Sequence, residues 1–149
     1  MAIRYYNLKN ITPLSKPRGQ LGKFGNMTHS SGNYRKFQQE VYERLTELTF
    51  AIPGDFFALA YIFYMGRKKG RANDVGNMVG AIEDVLVKYK YLKDDSWLHL
   101  PRAWQEAVAS DVFGITLLVL ESASDIVYFM SARDRLLSQF REPSLISPR

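Results

Sequence analysis

The feature that most constrains the fold is a run of ten apolar and aromatic residues at positions 56–65. The run follows the turn formers Pro53 and Gly54 and leads directly into the basic residues 67–71. It is too short to cross a bilayer as a helix, which takes about 20 residues. Its density of aromatic side chains between turn formers is typical of a buried strand. We therefore predict a central sheet strand at 56–65.

Segments with helical periodicity precede and follow this strand in the sequence. Apolar residues at spacings of three and four predict one helix at 34–49 and a second from Asn73 or Asp74 to about residue 90. Short strands are predicted at 4–6 and 97–100, a longer one at 112–120, and a last helix after it. This order predicts an α+β fold, in which a small mixed sheet has helices packed on one face.

The length of 149 residues suits one domain. We assign residues 1–140 to it, including an irregular, basic N-terminal arm at 7–33 that is rich in turn formers. Residues 141–149, with two prolines, are predicted to be a flexible tail.

Charge is distributed unevenly along the chain. The net charge is +5, but residues 1–36 hold seven Lys and Arg and no acid, so the rest of the chain is slightly negative. Such asymmetry indicates a polyanionic partner. The cations predicted to contact it from the arm are Lys16, Arg18 and Lys23.

Several kinds of site are excluded by composition. The chain has no cysteine, which rules out disulfides, thiolate nucleophiles, zinc fingers and iron–sulfur clusters and favours a reducing compartment. With only two histidines, a bound metal would be a hard cation held by carboxylates, such as Mg²⁺ or Mn²⁺. We expect no organic cofactor. Since neither a secretory signal nor a membrane span is recognisable, we expect a soluble, cytoplasmic protein.

Carboxylates flank the second predicted helix. Asp74 and Asn77 stand at its start, and the pair Asp94 and Asp95 follows its end. Taken singly, Asp74 suits a helix N-cap and the pair suits a solvated turn. Four cations directly precede the helix, however, and metal-binding carboxylates beside phosphate-binding cations are what phosphodiester cleavage uses. The four are Arg67, Lys68, Lys69 and Arg71.

These residues also resemble a known signature. Asp74-Val75-Gly76-Asn77, then Asp84 and the pair Asp94-Asp95, are similar in spacing to the motif of RusA-type Holliday junction resolvases. The resemblance implies a homodimeric, Mg²⁺-dependent endonuclease that nicks four-way DNA junctions in recombination and repair. It implies that Asp74 and Asp95 bind the metal, that Asp94 lies near it and that Asn77 supports it.

The chain departs from that signature at two positions. Gly76 stands where the family has a second catalytic aspartate, and Gly80 where it has a catalytic lysine. Asp94 or Asp84 is a candidate substitute for the acid, although Asp84 lies about 15 Å along the helix from Asp74 and has Lys88 as an alternative partner. Candidate substitutes for the lysine are Lys68, Lys69 and the arm.

Two other functions remain open. A relative that has lost its metal chemistry would bind branched or duplex DNA without cleaving it, and an RNA-binding protein would share only the charge asymmetry.

Overall fold

The computed structural model describes part of the chain. The described residues are 3–16, 20–21, 27–28, 32–66, 75–92 and 102–140. The strand predicted at 97–100, the tail at 141–149 and most of the arm lie outside them.

Three helices and six strands are present in the described residues. The order is β1 (Arg4–Lys9), β2 (Gln20–Leu21), β3 (Met27–Thr28), α1 (Gly32–Glu47), β4 (Ala58–Met65), α2 (Val75–Lys88), β5 (Arg102–Val108), β6 (Phe113–Leu120) and α3 (Ala123–Phe140). The predicted helix at 34–49 and the strands at 56–65 and 112–120 are confirmed within two residues at each end. The arm starts later than predicted, since residues 7–9 belong to β1.

The main sheet has four strands in the order β1-β6-β4-β5. β6 is antiparallel to both β1 and β4, whereas β4 and β5 are parallel. β2 and β3 form a separate two-stranded sheet. The predicted α+β class, the mixed sheet and the central place of β4 are confirmed.

Both faces of the sheet are covered. Side chains alternate along a strand, so Tyr61 and Phe63 enter the core shared with α1 and α2, while Ile62 and Tyr64 enter a second core. Phe129 of α3, 1% exposed, fills that second core. The prediction that the helices share one face is therefore wrong for α3. The continuous apolar run of β4 is the physical reason, because it leaves no polar face for solvent.

Helices α1 and α2 run parallel with a constant offset along the chain. Tyr34 bonds Asp84, and the hydroxyl of Tyr89 donates to Gln39, each pair being 50 residues apart. The rings of Tyr42 and Tyr89 stack with centroids 3.9 Å apart. α2 is thus held along its length by α1 as well as by the sheet.

The two helices end in the same way, with a non-glycine residue in the left-handed region. These residues are Thr49 (φ 55°) and Lys90 (φ 65°). The backbone N–H of Phe50 donates to the carbonyl of Leu45 at 2.9 Å, and that of Tyr91 donates to the carbonyl of Leu86 at 2.8 Å. This is the hydrogen-bond pattern of a Schellman motif. The rings of Phe50 and Tyr91 meet edge to face with centroids 5.1 Å apart, which joins the two helix ends.

Replacing Thr49 with Gly is expected to raise the free energy of unfolding by about 0.5–1 kcal/mol. The left-handed conformation costs an L-residue roughly 1–2 kcal/mol, and the greater freedom of Gly in the unfolded chain offsets part of the gain. Urea unfolding measures the change. Thr46→Gly is the matched control inside the same helix, and it should instead lose roughly 0.3–0.5 kcal/mol, because Thr is already a weaker helix former than Ala. Equal losses in both variants would contradict the assignment of strain to Thr49.

Candidate nucleic-acid interface on helix α2

Two of the predicted site residues, Lys16 and Asn77, lie in the described part of the chain. The predicted start of the second helix is confirmed, because α2 begins at Val75, directly after Asp74. The metal site stays a prediction. The predicted residues outside the described ranges are Asp74, Asp94, Asp95, Arg18, Lys23, Arg67, Lys68, Lys69 and Arg71.

Residues 10–16, which we name the docked segment, lead from the end of β1 onto the first turns of α2. Asn10 donates its backbone N–H to the carbonyl of Phe113 at 3.1 Å, and Lys16 donates its own to the carbonyl of Asn77 at 3.0 Å. Ile11 is only 2% exposed, and Pro13 is buried as well. The described start of the basic arm therefore packs against the rest of the domain and ends beside α2.

The side chain of Lys16 lies over Gly80. Its Cδ is 3.5 Å from the place that a Cβ would occupy on that glycine, an ordinary van der Waals distance. Its Nζ lies 3.2 Å from Oδ1 of Asp84, and the Lys16 side chain remains 46% exposed. Lys16 of the arm thus brings its ammonium group near Gly80, the position at which the RusA-type signature has a lysine. The arm was one of the candidate substitutes for that lysine.

Asp84 is held from two sides. Its second oxygen accepts a hydrogen bond from the hydroxyl of Tyr34 at 2.8 Å. Burial raises the pKa of Tyr34, and the hydrogen bond and negative charge of Asp84 raise it further, so this hydroxyl stays a neutral donor. Lys88, the alternative partner expected for Asp84, donates to Oε1 of Gln38 at 3.4 Å. The described cation paired with Asp84 is therefore Lys16, and not Lys88 as expected.

A second polar cluster lies on the sheet side of α2. Glu83 has a side chain only 3% exposed, and Nε of Arg102 donates to its Oε2 at 2.7 Å. The hydroxyl of Tyr61 donates to the same oxygen at 3.1 Å. Burial raises the pKa of Tyr61, and the neighbouring charge of Glu83 adds to this shift. The cluster fastens α2 to β4 and β5, and no motif in the sequence pointed to it.

A third cluster joins β5 to α3 on the opposite face. Arg133 and the indole N–H of Trp104 both donate to Glu106, and the ring of Trp104 packs edge to face on Phe129. Burial opposes the ionisation of Glu106, but the hydrogen bonds from Arg133 and Trp104 outweigh it and lower the pKa of this carboxyl. All three clusters contain carboxylates, but only Asp84 has a half-exposed cation from the arm as its partner.

Among the residues with described positions, no three His, Cys, Asp or Glu side chains are grouped so that they could hold a metal ion. No helix in these ranges has the length and apolar character needed to cross a membrane. No protein-family model matches the chain, and no curated protein matches it.

Proposed function

We propose that the protein is a divalent-metal-dependent endodeoxyribonuclease that resolves Holliday junctions or other branched DNA as a cytoplasmic homodimer. Its metal, Mg²⁺ or Mn²⁺, would be held by Asp74 and Asp95, with Asp94 nearby and Asn77 in support. The proposal starts from the spacing of these residues around α2.

The observation that carries the proposal is the position of the docked segment. Lys16 and Asp84 are 68 residues apart in the chain, yet their side chains meet on α2. The backbone of Lys16 also bonds Asn77, which follows Asp74 by three residues in the sequence. Metal-dependent cleavage of a phosphodiester uses cations and metal-binding carboxylates around the same phosphate. The docked segment supports such a shared surface, because it brings one cation of the arm against α2, the helix that follows Asp74 in the sequence.

Each group has a defined part in this reaction. A bound divalent cation supplies activated water and neutralises charge on the cleaved phosphate. Lys16 and the other cations hold the DNA backbone, which fixes the distance of the phosphate from the carboxylates. α1 and the Glu83–Arg102 pair keep α2 fixed against the sheet.

The second candidate function is DNA binding without cleavage, and the two glycines favour it. Neither Gly76 nor Gly80 offers a side chain to a metal or to a leaving group. Lys16 supplies a cation beside Gly80, but nothing described replaces the acid missing at position 76.

The deciding experiment uses a fluorescently labelled four-way DNA junction and a linear duplex of the same sequence. We expect nicking of the junction with Mg²⁺ or Mn²⁺, none with Ca²⁺ or EDTA, and weaker activity on the duplex. Binding of the junction without nicking in any metal supports the second candidate. Structured RNA that outcompetes the junction at matched salt would contradict both DNA functions.

A further inference from the structure

We propose that Asp84 is an internal counter-anion for Lys16 that a DNA phosphate replaces on binding, so that Asp84 limits the affinity of this interface. The inference rests on the proposed function for its ligand, a phosphodiester backbone. It assigns Asp84 the role of a positioning residue that acts through Lys16.

The geometry places Lys16 where both anions can reach it. Nζ lies 3.2 Å from Oδ1 of Asp84, a distance at which the carboxylate occupies one of the three donors of the ammonium group. The Lys16 side chain is 46% exposed and that of Asp84 22%. Lys16 therefore faces solvent on one side and its internal partner on the other, and a phosphate arriving from solvent competes for the same charge.

Asp84 remains satisfied when Lys16 leaves it. The hydroxyl of Tyr34 donates to its second oxygen at 2.8 Å, and this bond does not involve Lys16. Water can replace the ammonium at Asp84, because 22% of the Asp84 side chain is exposed. Ion pairs open to water contribute little to stability, whereas each phosphate contact releases counterions from DNA, so exchange favours DNA at moderate salt.

The docked segment does not depend on this ion pair for its position. Its backbone is bonded to α2 through the N–H of Lys16 and the carbonyl of Asn77, and its own residues Ile11 and Pro13 are buried. A purely structural salt bridge would therefore be redundant here. The pair is better explained by its effect on the charge that Lys16 presents to solvent.

The test measures equilibrium binding of the labelled four-way junction in EDTA, where no cleavage occurs. Asp84→Asn is expected to bind roughly two- to fivefold more tightly than wild type, the factor that corresponds to one solvent-exposed ion pair. Lys16→Ala is expected to bind more weakly, and the double variant should lose most of the gain that Asp84→Asn gives alone. Asp55→Asn, in an exposed turn, and Lys36→Ala, exposed on α1, are controls for net charge.

Tyr34→Phe provides a second, opposite readout. Without the hydroxyl, Asp84 relies more on Lys16, so junction binding should weaken. The lost hydrogen bond to a charged group also lowers the unfolding midpoint, so binding is measured at a temperature where the variant is fully folded. The proposal is overturned if Asp84→Asn weakens binding as Lys16→Ala does, or if its gain persists in full in the double variant. Wild-type protein that binds no DNA would instead refute the proposed function itself.

Discussion

Replacing Asp74 or Asp95 with Asn is expected to reduce Mg²⁺-dependent nicking of a four-way junction about a thousandfold or more. A neutral amide has the shape of the carboxylate, but it is a far weaker ligand for a hard cation. Loss of metal charge at the cleaved phosphate removes several kcal/mol of transition-state stabilisation, and about 4 kcal/mol corresponds to a factor of a thousand in rate. Initial nicking rates under saturating protein measure the loss.

Binding separates this effect from damage to the interface. Both variants should bind the junction in EDTA within about threefold of wild type, because the cations that we propose hold phosphate are untouched. Asp55→Asn, the same change in an exposed turn, should nick at the wild-type rate. Undiminished nicking by Asp74→Asn and Asp95→Asn would show that the metal is held elsewhere or is not needed.

Replacing Arg102 with Ala is expected to lower the free energy of unfolding by about 3 kcal/mol. Its guanidinium is the cation bonded to Glu83, whose side chain is 3% exposed. Removing one partner of a buried pair leaves a charge without compensation, which typically costs about 3–5 kcal/mol. We expect the lower end because the Arg102 side chain is itself 41% exposed, so water can reach part of the gap. Urea unfolding followed by circular dichroism measures the loss.

Two comparisons make this prediction specific to the buried charge. Arg135→Ala, exposed on α3, should change the free energy of unfolding by less than about 0.5 kcal/mol. Combining Arg102→Met with Glu83→Met and Tyr61→Phe removes every polar member of the cluster and should recover most of the loss. If Arg102→Ala is as mild as Arg135→Ala, Glu83 is not isolated from water as described.

The parts of the fold that the sequence predicted are those with strong local periodicity. α1, α2, β4 and β6 each carry a continuous apolar stripe or run, which depends on neighbours in the chain. β5 was missed because Arg102–Val108 alternates half-buried and exposed residues at a sheet edge, with no apolar run. Its parallel pairing with β4 is a contact between distant segments, which local patterns do not encode.

The candidate site shows the same division. The sequence predicted Lys16 as a DNA contact and α2 as the helix that follows Asp74, because both predictions depend only on charge and spacing along the chain. It did not predict that Lys16 would lie over Gly80 and meet Asp84, since that depends on how β1 directs the docked segment. Gly80 was a usable signal, as a glycine in a helix often marks close approach of another segment. Glu83 and Arg102 carried no comparable signal in the sequence, because single charged residues within amphipathic segments are common.

The edge position of β1 has a practical consequence for how the basic arm is studied. A truncation that removes the arm from the N-terminus also removes β1, and it leaves β6 as the new outer strand of the sheet. Seven of the eight residues of β6 are buried, so the new edge would present an apolar strand with unpaired backbone groups, the kind of edge on which chains associate. Such a truncated protein would report on aggregation as much as on DNA affinity. Charge-neutralising substitutions within the intact chain keep the two effects apart.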